Sequence, residues 1–216
     1  RGSRLNQITK NKPKCLTRIQ NNKTLLDFIS ENFFENENNI IVTGYKSHLI
    51  EKYFKNKNVK FVKNKNYKNT NMVESLMLSK KKLKKGDLII IYGDIFFDKN
   101  IIQKIKKIKG NVMPVNANWF KSWTKRYTTL TKIKNDAEDL VVSKGNIVSI
   151  GNKIRKKLPK FQYMGIVKIN RITFDKLEKF YKEINNKKIS LTEFINETIK
   201  SKIAKFRYSV LKKYWY

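Results

Sequence analysis

Two short stretches near the amino terminus carry residue types that could do chemistry: Arg1-Gly2-Ser3-Arg4-Leu5 and Pro13-Lys14-Cys15-Leu16. Gly2 has no Cβ, so the backbone there can come close to a ligand. The Ser3 hydroxyl and the Arg4 guanidinium then offer a hydroxyl and a charged fork of donors to anionic oxygens. That is how a phosphate is held. Lys14 brings a second cation ten positions after Arg4, behind Pro13, whose ring fixes φ and so the direction in which the lysine arrives. Arg-Gly-Ser at a chain start and Pro-Lys in a loop are each ordinary alone. Together, a glycine turn and two cations could grip one anionic group.

A carboxylate is offered further along. Leu88-Ile89-Ile90-Ile91-Tyr92 is a continuous apolar run of the type buried on both faces of a parallel sheet, and Gly93-Asp94 follows it. Ligands of open α/β sheets bind at the carboxyl ends of the strands, so Asp94 is well placed to hold Mg²⁺. Its alternative role is to cap a turn, the role expected of Asp98 before a helix over 99–108. Asn71 and Ser75, in the first turn of a helix starting near 71, read as capping residues. Trp119, Trp123 and Tyr127 share a helical face, which favours core packing over an aromatic surface for a cationic headgroup. His48, the single histidine, has no acidic or cysteine cluster near it in sequence and is assigned no chemistry.

The loop and lysine together resemble the signature of the sugar-nucleotidyltransferase family, a G-x-G-[ST]-R-[LM] loop with P-K-x-L downstream. Residues Asn71 to Leu76 resemble the N-x-x-x-S-L segment of its phosphocholine-cytidylyltransferase branch, and Gly93-Asp94 resembles the family's metal-binding aspartate. Asn118-Trp119, Trp123, Arg126 and Asp136-Ala137-Glu138 are similar to that branch's D-x-N-W…W…R…D-A-E run, with Asn116 where an aspartate is usual. Gln162-Tyr163-Met164-Gly165-Ile166 resembles the [EQ]-Y-x-G-[IL] strand beside the acceptor. The family's first strand and first glycine would precede Arg1, and its second metal aspartate would follow Tyr216. The resemblance therefore implies one nucleotidyltransferase domain over 1–216, clipped at both ends.

It also implies roles. Gly2, Ser3, Arg4, Lys14, Asn71 and Ser75 would bind the nucleotide, with Arg4 and Lys14 catalytic; Asp94 would hold Mg²⁺; Trp119, Glu138, Tyr163 and Gly165 would meet the acceptor. The implied reaction is cytidylyl transfer from CTP to phosphocholine, aminoethylphosphonate, a phospho-amino acid or a similar acceptor, for decoration of surface polysaccharide. Two alternatives stay open: a hexose-1-phosphate nucleotidyltransferase, and a non-catalytic basic module on the same fold that binds nucleotide or RNA.

Composition must allow a scaffold for these groups. At 216 residues, 40% hydrophobic and 12% aromatic, the chain can bury a core large enough to outweigh its conformational entropy. No apolar run approaches the ~20 residues of a membrane-spanning helix, and the single Cys15 can form no internal disulfide, which together indicate a cytoplasmic protein without membrane insertion. The 49 basic and 17 acidic side chains give +32, a field that favours anionic partners. The lysines are spread along the chain, which weighs against a dedicated nucleic-acid groove.

Periodicity predicts strands at 39–44, 59–62, 88–92, 112–115, 161–169 and 206–211, and helices at 22–34, 45–54, 99–108, 173–184 and 190–202. A hairpin with a Ser143-Lys144-Gly145 turn joins strands over 140–150. The fold expected is α/β: a Rossmann-like three-layer sandwich of the nucleotide-diphospho-sugar transferase type, with a mostly parallel central sheet and the hairpin as a lid.

Overall fold

The computed structural model describes residues 10–20, 23–31, 37–98, 100–155, 157–211 and 215. Its Cα framework groups into two compact units. One takes the chain as far as Lys85, with Gly93–Phe96 and Lys187–Ile189. The other takes Gly86–Tyr92, Phe97–Asn186 and the chain from Ser190 onward.

In the first unit Pro13 leads into a single 3-10 turn, Lys14–Leu16. β1 (Arg18–Gln20) pairs antiparallel with β2 (Lys23–Thr24), and α1 (Leu25–Ser30) begins at once with a capping box. There Thr24 Oγ1 accepts from the Asp27 N–H at 3.2 Å and Asp27 Oδ2 accepts from the Thr24 N–H at 2.6 Å. β3 (Ile40–Thr43), α2 (Ser47–Tyr53) and β4 (Lys60–Lys63) form a βαβ unit, the two strands parallel from Ile40–Lys60 to Thr43–Lys63. The crossover supplies the length that a parallel pair requires. α3 (Met72–Ser79) follows, capped by Asn71, whose Oδ1 accepts from the Met72 N–H at 2.8 Å. Leu26, Ile50 and Phe54 form the core, packed by Cys15, Leu16, Ile41, Tyr53, Val59 and Phe61. Burial pushes the Cys15 thiol up to about 11, with the Asp94 charge adding, so this cysteine is a packing group and no nucleophile.

The second unit carries β5 (Leu88–Ile91), α4 (Asn100–Lys107), β6 (Val112–Asn116), α5 (Trp119–Arg126), α6 (Leu130–Asp136), β7 (Glu138–Ser143), β8 (Asn146–Lys153), β9 (Gln162–Tyr163), β10 (Ile166–Ile169), α7 (Arg171–Ile184), α8 (Leu191–Lys200) and β11 (Arg207–Leu211). The sheet order is β5-β10-β6-β11-β8-β7, with β9 also on β6. All five residues of β6 are buried, as the centre of the sheet requires. Asp98 Oδ1 accepts from the Asn100 N–H at 2.8 Å, the capping contact expected of it.

The α/β class is as expected, but the sheet is mixed where a mostly parallel one was expected. Among the described strands of this sheet only β6 and β11 run parallel; β5–β10, β10–β6, β6–β9, β11–β8 and β7–β8 are antiparallel. The reason is partly the turns. Lys144 and Gly145, at φ 45° and 79°, make a two-residue connection that admits only an antiparallel pair. The hairpin expected as a lid is a continuation of the sheet, since Asn146 pairs with Arg207 of β11. The strand expected over 161–169 is likewise divided: Gly165, at φ 75°, separates β9 from β10, and the pairing of both with β6 shifts register across the break. Among the described residues no helix is long and apolar enough to cross a membrane.

Candidate active site

Gly2, Ser3 and Arg4 lie outside the described residues. Of the remaining predicted groups, the first unit brings together Lys14 and Asp94. The 3-10 turn carries Lys14 Nζ to 2.9 Å from Asp94 Oδ2, and both side chains keep substantial exposure. Lys14 and Asp94 thus form an ion pair across eighty positions of sequence, a cation on offer to an anion beside a carboxylate on offer to a cation.

The same unit holds a pocket of about 300 Å³ at the carboxyl ends of β3 and β4, lined by Val42, Thr43, Gly44, Tyr45, Asn64, Tyr67, Thr70, Asn71, Met72 and Ser75. Asn71 and Ser75 therefore line one wall together. Asn71 is also the helix cap that its sequence position suggests, and its amide nitrogen donates to Lys188 O at 3.1 Å. Ser75 Oγ accepts from Asn64 Nδ2 at 3.0 Å. Gly44 is required by close approach: a Cβ built there would stand 2.7 Å from Tyr67 Cβ and 2.8 Å from its Cγ. The Tyr67 ring packs directly over the backbone, with the Tyr45 ring 6.4 Å from it.

In the second unit Glu138, Tyr163 and Gly165 are linked. Gln162 Oε1 accepts from the Glu138 N–H at 3.3 Å, and Gln162 Nε2 donates to Glu138 O. Thr192 Oγ1 donates to Glu138 Oε1 at 3.0 Å. Burial raises the Glu138 carboxyl above its ordinary value, the Thr192 hydrogen bond opposing and the Glu193 charge adding. Tyr163 stands edge-on to Tyr92 at 5.8 Å, and the Tyr92 N–H donates to Gly165 O at 2.9 Å. Burial pushes the Tyr163 phenol well above its ordinary value, with Tyr92 and Glu138 adding. Trp119 sits in a stack instead. It is 2% exposed, its indole N–H donates to Pro159 O at 3.1 Å, and it meets Trp123, which stacks on Trp215 at 5.1 Å. That is the core packing favoured by its spacing.

The nucleotidyl transferase family model matches residues 1–216. The chain belongs to the nucleotidyl transferase family. It is similar to the CTP:phosphoglutamine cytidylyltransferase of Campylobacter jejuni, 29% identical over 194 residues that cover 85% of this chain and 75% of that protein. Its fold is that of the inositol-1-phosphate CTP transferase of T. maritima, with a TM-score of 0.77 at 16% identity, covering 99% of this chain and 83% of that one. The CTP:phosphocholine cytidylyltransferase of Streptococcus pneumoniae shares the fold at a TM-score of 0.73 and 20% identity, over 100% of this chain and 88% of that one.

Two features of this nucleotidyl transferase bear on a metal. Among the described residues no three His, Cys, Asp or Glu side chains cluster as a metal cage. Mg²⁺ needs no such cage: it is commonly held by one or two carboxylates, with phosphate oxygens and water completing its shell, and a partly exposed Asp94 fits that donor set. Asn64, Tyr67 and Gly44 were missed in the sequence. Asn64 directly follows β4, so the strand-end rule that singled out Asp94 applies equally to it. Its setting in an asparagine-rich run reads only as a turn.

Proposed function

We propose that this nucleotidyl transferase is a cytidylyltransferase that joins CMP from CTP to a small phosphorylated or phosphonate acceptor. An ionised acceptor oxygen attacks the α-phosphorus of CTP in line, the bond to the bridging oxygen breaks, and pyrophosphate leaves. The observation that carries this is the Lys14–Asp94 contact at 2.9 Å, a cation and a carboxylate in the compact unit that also holds the Asn71–Ser75 pocket. The names of the C. jejuni relative and of two fold neighbours, all CTP-using, support the choice of nucleotide.

Lys14, with Arg4, binds the triphosphate and stabilises charge that develops on the leaving pyrophosphate. Asp94 would hold Mg²⁺, which would supply neutralisation of phosphate charge. Asn71 and Ser75 receive the base. Gly2 and Ser3 complete the phosphate loop. No general base is required, because the attacking phosphate is already ionised, and positioning with charge neutralisation carries most of such a reaction. Glu138, Tyr163 and Gly165 meet the acceptor. The Glu138 carboxylate suits an acceptor that carries a cationic nitrogen, the quaternary ammonium of phosphocholine or the ammonium of a phospho-amino acid. The product is a CDP-activated group of the kind used to decorate surface polysaccharide, made in the cytoplasm, where CTP is available.

The test is pyrophosphate release across five nucleoside triphosphates and a panel of phosphorylated amines and hexose 1-phosphates. The expected result is turnover with CTP, Mg²⁺ and a phosphorylated amine. Turnover restricted to UTP or dTTP with a hexose 1-phosphate overturns the choice of substrates. Salt-sensitive RNA retention with no pyrophosphate from any pair overturns the enzyme reading.

A further inference from the structure

Glu138 is half-buried at the start of β7, and its backbone is clamped in both directions by the Gln162 amide. Its side chain is left to Thr192. An ionised carboxylate only accepts, so the hydrogen in the 3.0 Å contact comes from Thr192 Oγ1. Thr192 is 3% exposed in the first turn of α8, and the strand beneath it is fitted to its shape. Gly151 of β8 adopts φ 83°, and a Cβ built there would stand 3.0 Å from Thr192 Cβ and 3.1 Å from its carbonyl carbon. The preceding strand residue adds a second tie: the Ile150 N–H donates to Oδ1 of the buried Asn196 at 3.1 Å, one turn further along α8. A glycine and an amide on consecutive positions thus seat the helix on β8, and the helix delivers one hydroxyl to β7.

We infer that Thr192 is a positioning residue for the acceptor: by donating to Oε1 it fixes the Glu138 carboxylate as the partner of a cationic nitrogen on the acceptor. This rests on the reading of Glu138 as an acceptor contact. Thr192 acts only through that carboxylate, so it bears on acceptor affinity and leaves nucleotide binding and the transfer step alone. Removing its hydrogen frees the Glu138 side chain to turn, and it also withdraws the bond that opposes the effect of burial, so the carboxyl rises further above its ordinary value. The other groups around Glu138 are Glu193 of α8, Tyr163 of β9 and Lys153, its register partner on β8, and all three stay in place.

The test is steady-state kinetics with saturating CTP and Mg²⁺, and with phosphocholine and aminoethylphosphonate as acceptors, followed as pH is lowered. Thr192→Val keeps the shape and removes the donor. It should raise the acceptor KM about tenfold with kcat and the CTP KM unchanged, the signature of lost uniform binding. The rise of acceptor KM on acidification should also begin at a higher pH than in the wild type. The acceptor's own phosphate or phosphonate titrates alike in both proteins, so the difference between the two profiles belongs to Glu138. Thr192→Ser keeps the hydroxyl and should restore both the KM and the profile, which mere packing by the threonine methyl would not do. Thr192→Ala removes the same donor and decides the matter if Thr192→Val does not fold. Unchanged acceptor KM in Thr192→Val, a Thr192→Ser variant that behaves like Thr192→Val, or a loss shared by the CTP KM overturns the inference. Glu138→Gln separates this from the reading beneath it: a raised acceptor KM there keeps Glu138 as the acceptor contact, while an unchanged one, or no turnover with either acceptor, overturns that reading as well.

Discussion

Lys14 Nζ and Asp94 Oδ2 lie 2.9 Å apart, joined by a 3-10 turn on one side and the residues after β5 on the other. An ion pair this exposed contributes about 0–1 kcal/mol to stability. Lys14→Ala and Asp94→Asn should therefore leave the melting temperature nearly unchanged while each lowers kcat/KM about a hundredfold, the loss expected when one preorganised charge is removed from the transition state. The double variant should lose little more than the worse single one, because the two groups act on one nucleotide. Steady-state kinetics beside thermal melting checks both. Near-normal turnover in either single variant removes that residue from the mechanism.

Gly44→Ala forces a Cβ to within 2.7 Å of the Tyr67 side chain, against a ring with little freedom to retreat. The nucleotide KM should rise about tenfold as Tyr67 is displaced from the pocket wall, roughly the effect of a small misplacement in a binding site. Tyr67→Gly removes both the Cβ and the ring that the new methyl would strike, so Gly44→Ala in that background should cost little further. A double-mutant cycle on KM measures the coupling.

Asp27 accepts from the Tyr53 hydroxyl, from Thr24 Oγ1 at 2.7 Å and from the Thr24 N–H at 2.6 Å. Burial alone would raise its carboxyl, but these donors outweigh it and hold the group below its ordinary value, while burial and the Asp27 contact push the Tyr53 phenol up to about 12. A depressed carboxyl stabilises the fold above its unfolded pKa of about 3.9, and that stability is lost as pH falls through the folded value. A raised phenol stabilises the fold below its unfolded pKa of about 10, and that stability is lost as pH rises toward 12. Melting temperature against pH should show both limbs. Tyr53→Phe should cost about 1–3 kcal/mol at neutral pH, remove the alkaline limb and shrink the acid one.

Lys168 is 5% exposed, and its Nζ donates to Ile108 O at 2.7 Å and Lys106 O at 3.1 Å while pairing with Asp87 at 3.0 Å. A cation is thus buried against the last carbonyls of α4, where the helix dipole favours it. Lys168→Met leaves those carbonyls and Asp87 without their donor and should destabilise by about 3 kcal/mol in urea unfolding, with kcat/KM per folded molecule unchanged.

Elements with their own periodicity or caps were legible in the sequence: β3, α2 and β4, the helix expected at 190–202 and found as α8, and Asn71 as the cap of α3. Strand direction was not. The isoleucines of β5 are equally compatible with a parallel or an antiparallel neighbour, and what sets the pairing is β10, more than seventy residues away. Proximity across the chain was legible only where chemistry demanded it, as for Lys14 and Asp94. Asn64 had no such signature, because its burial and its hydrogen bonds arise only once Asn66, Thr70 and Ser75 surround it.

The most direct test follows the phosphorus. With CTP labelled at the α-phosphorus, Mg²⁺ and a phosphorylated amine acceptor, the account predicts label in a CDP-linked product and unlabelled pyrophosphate, in equal amounts. Release of orthophosphate, or label left in free CMP with no acceptor adduct, would contradict it.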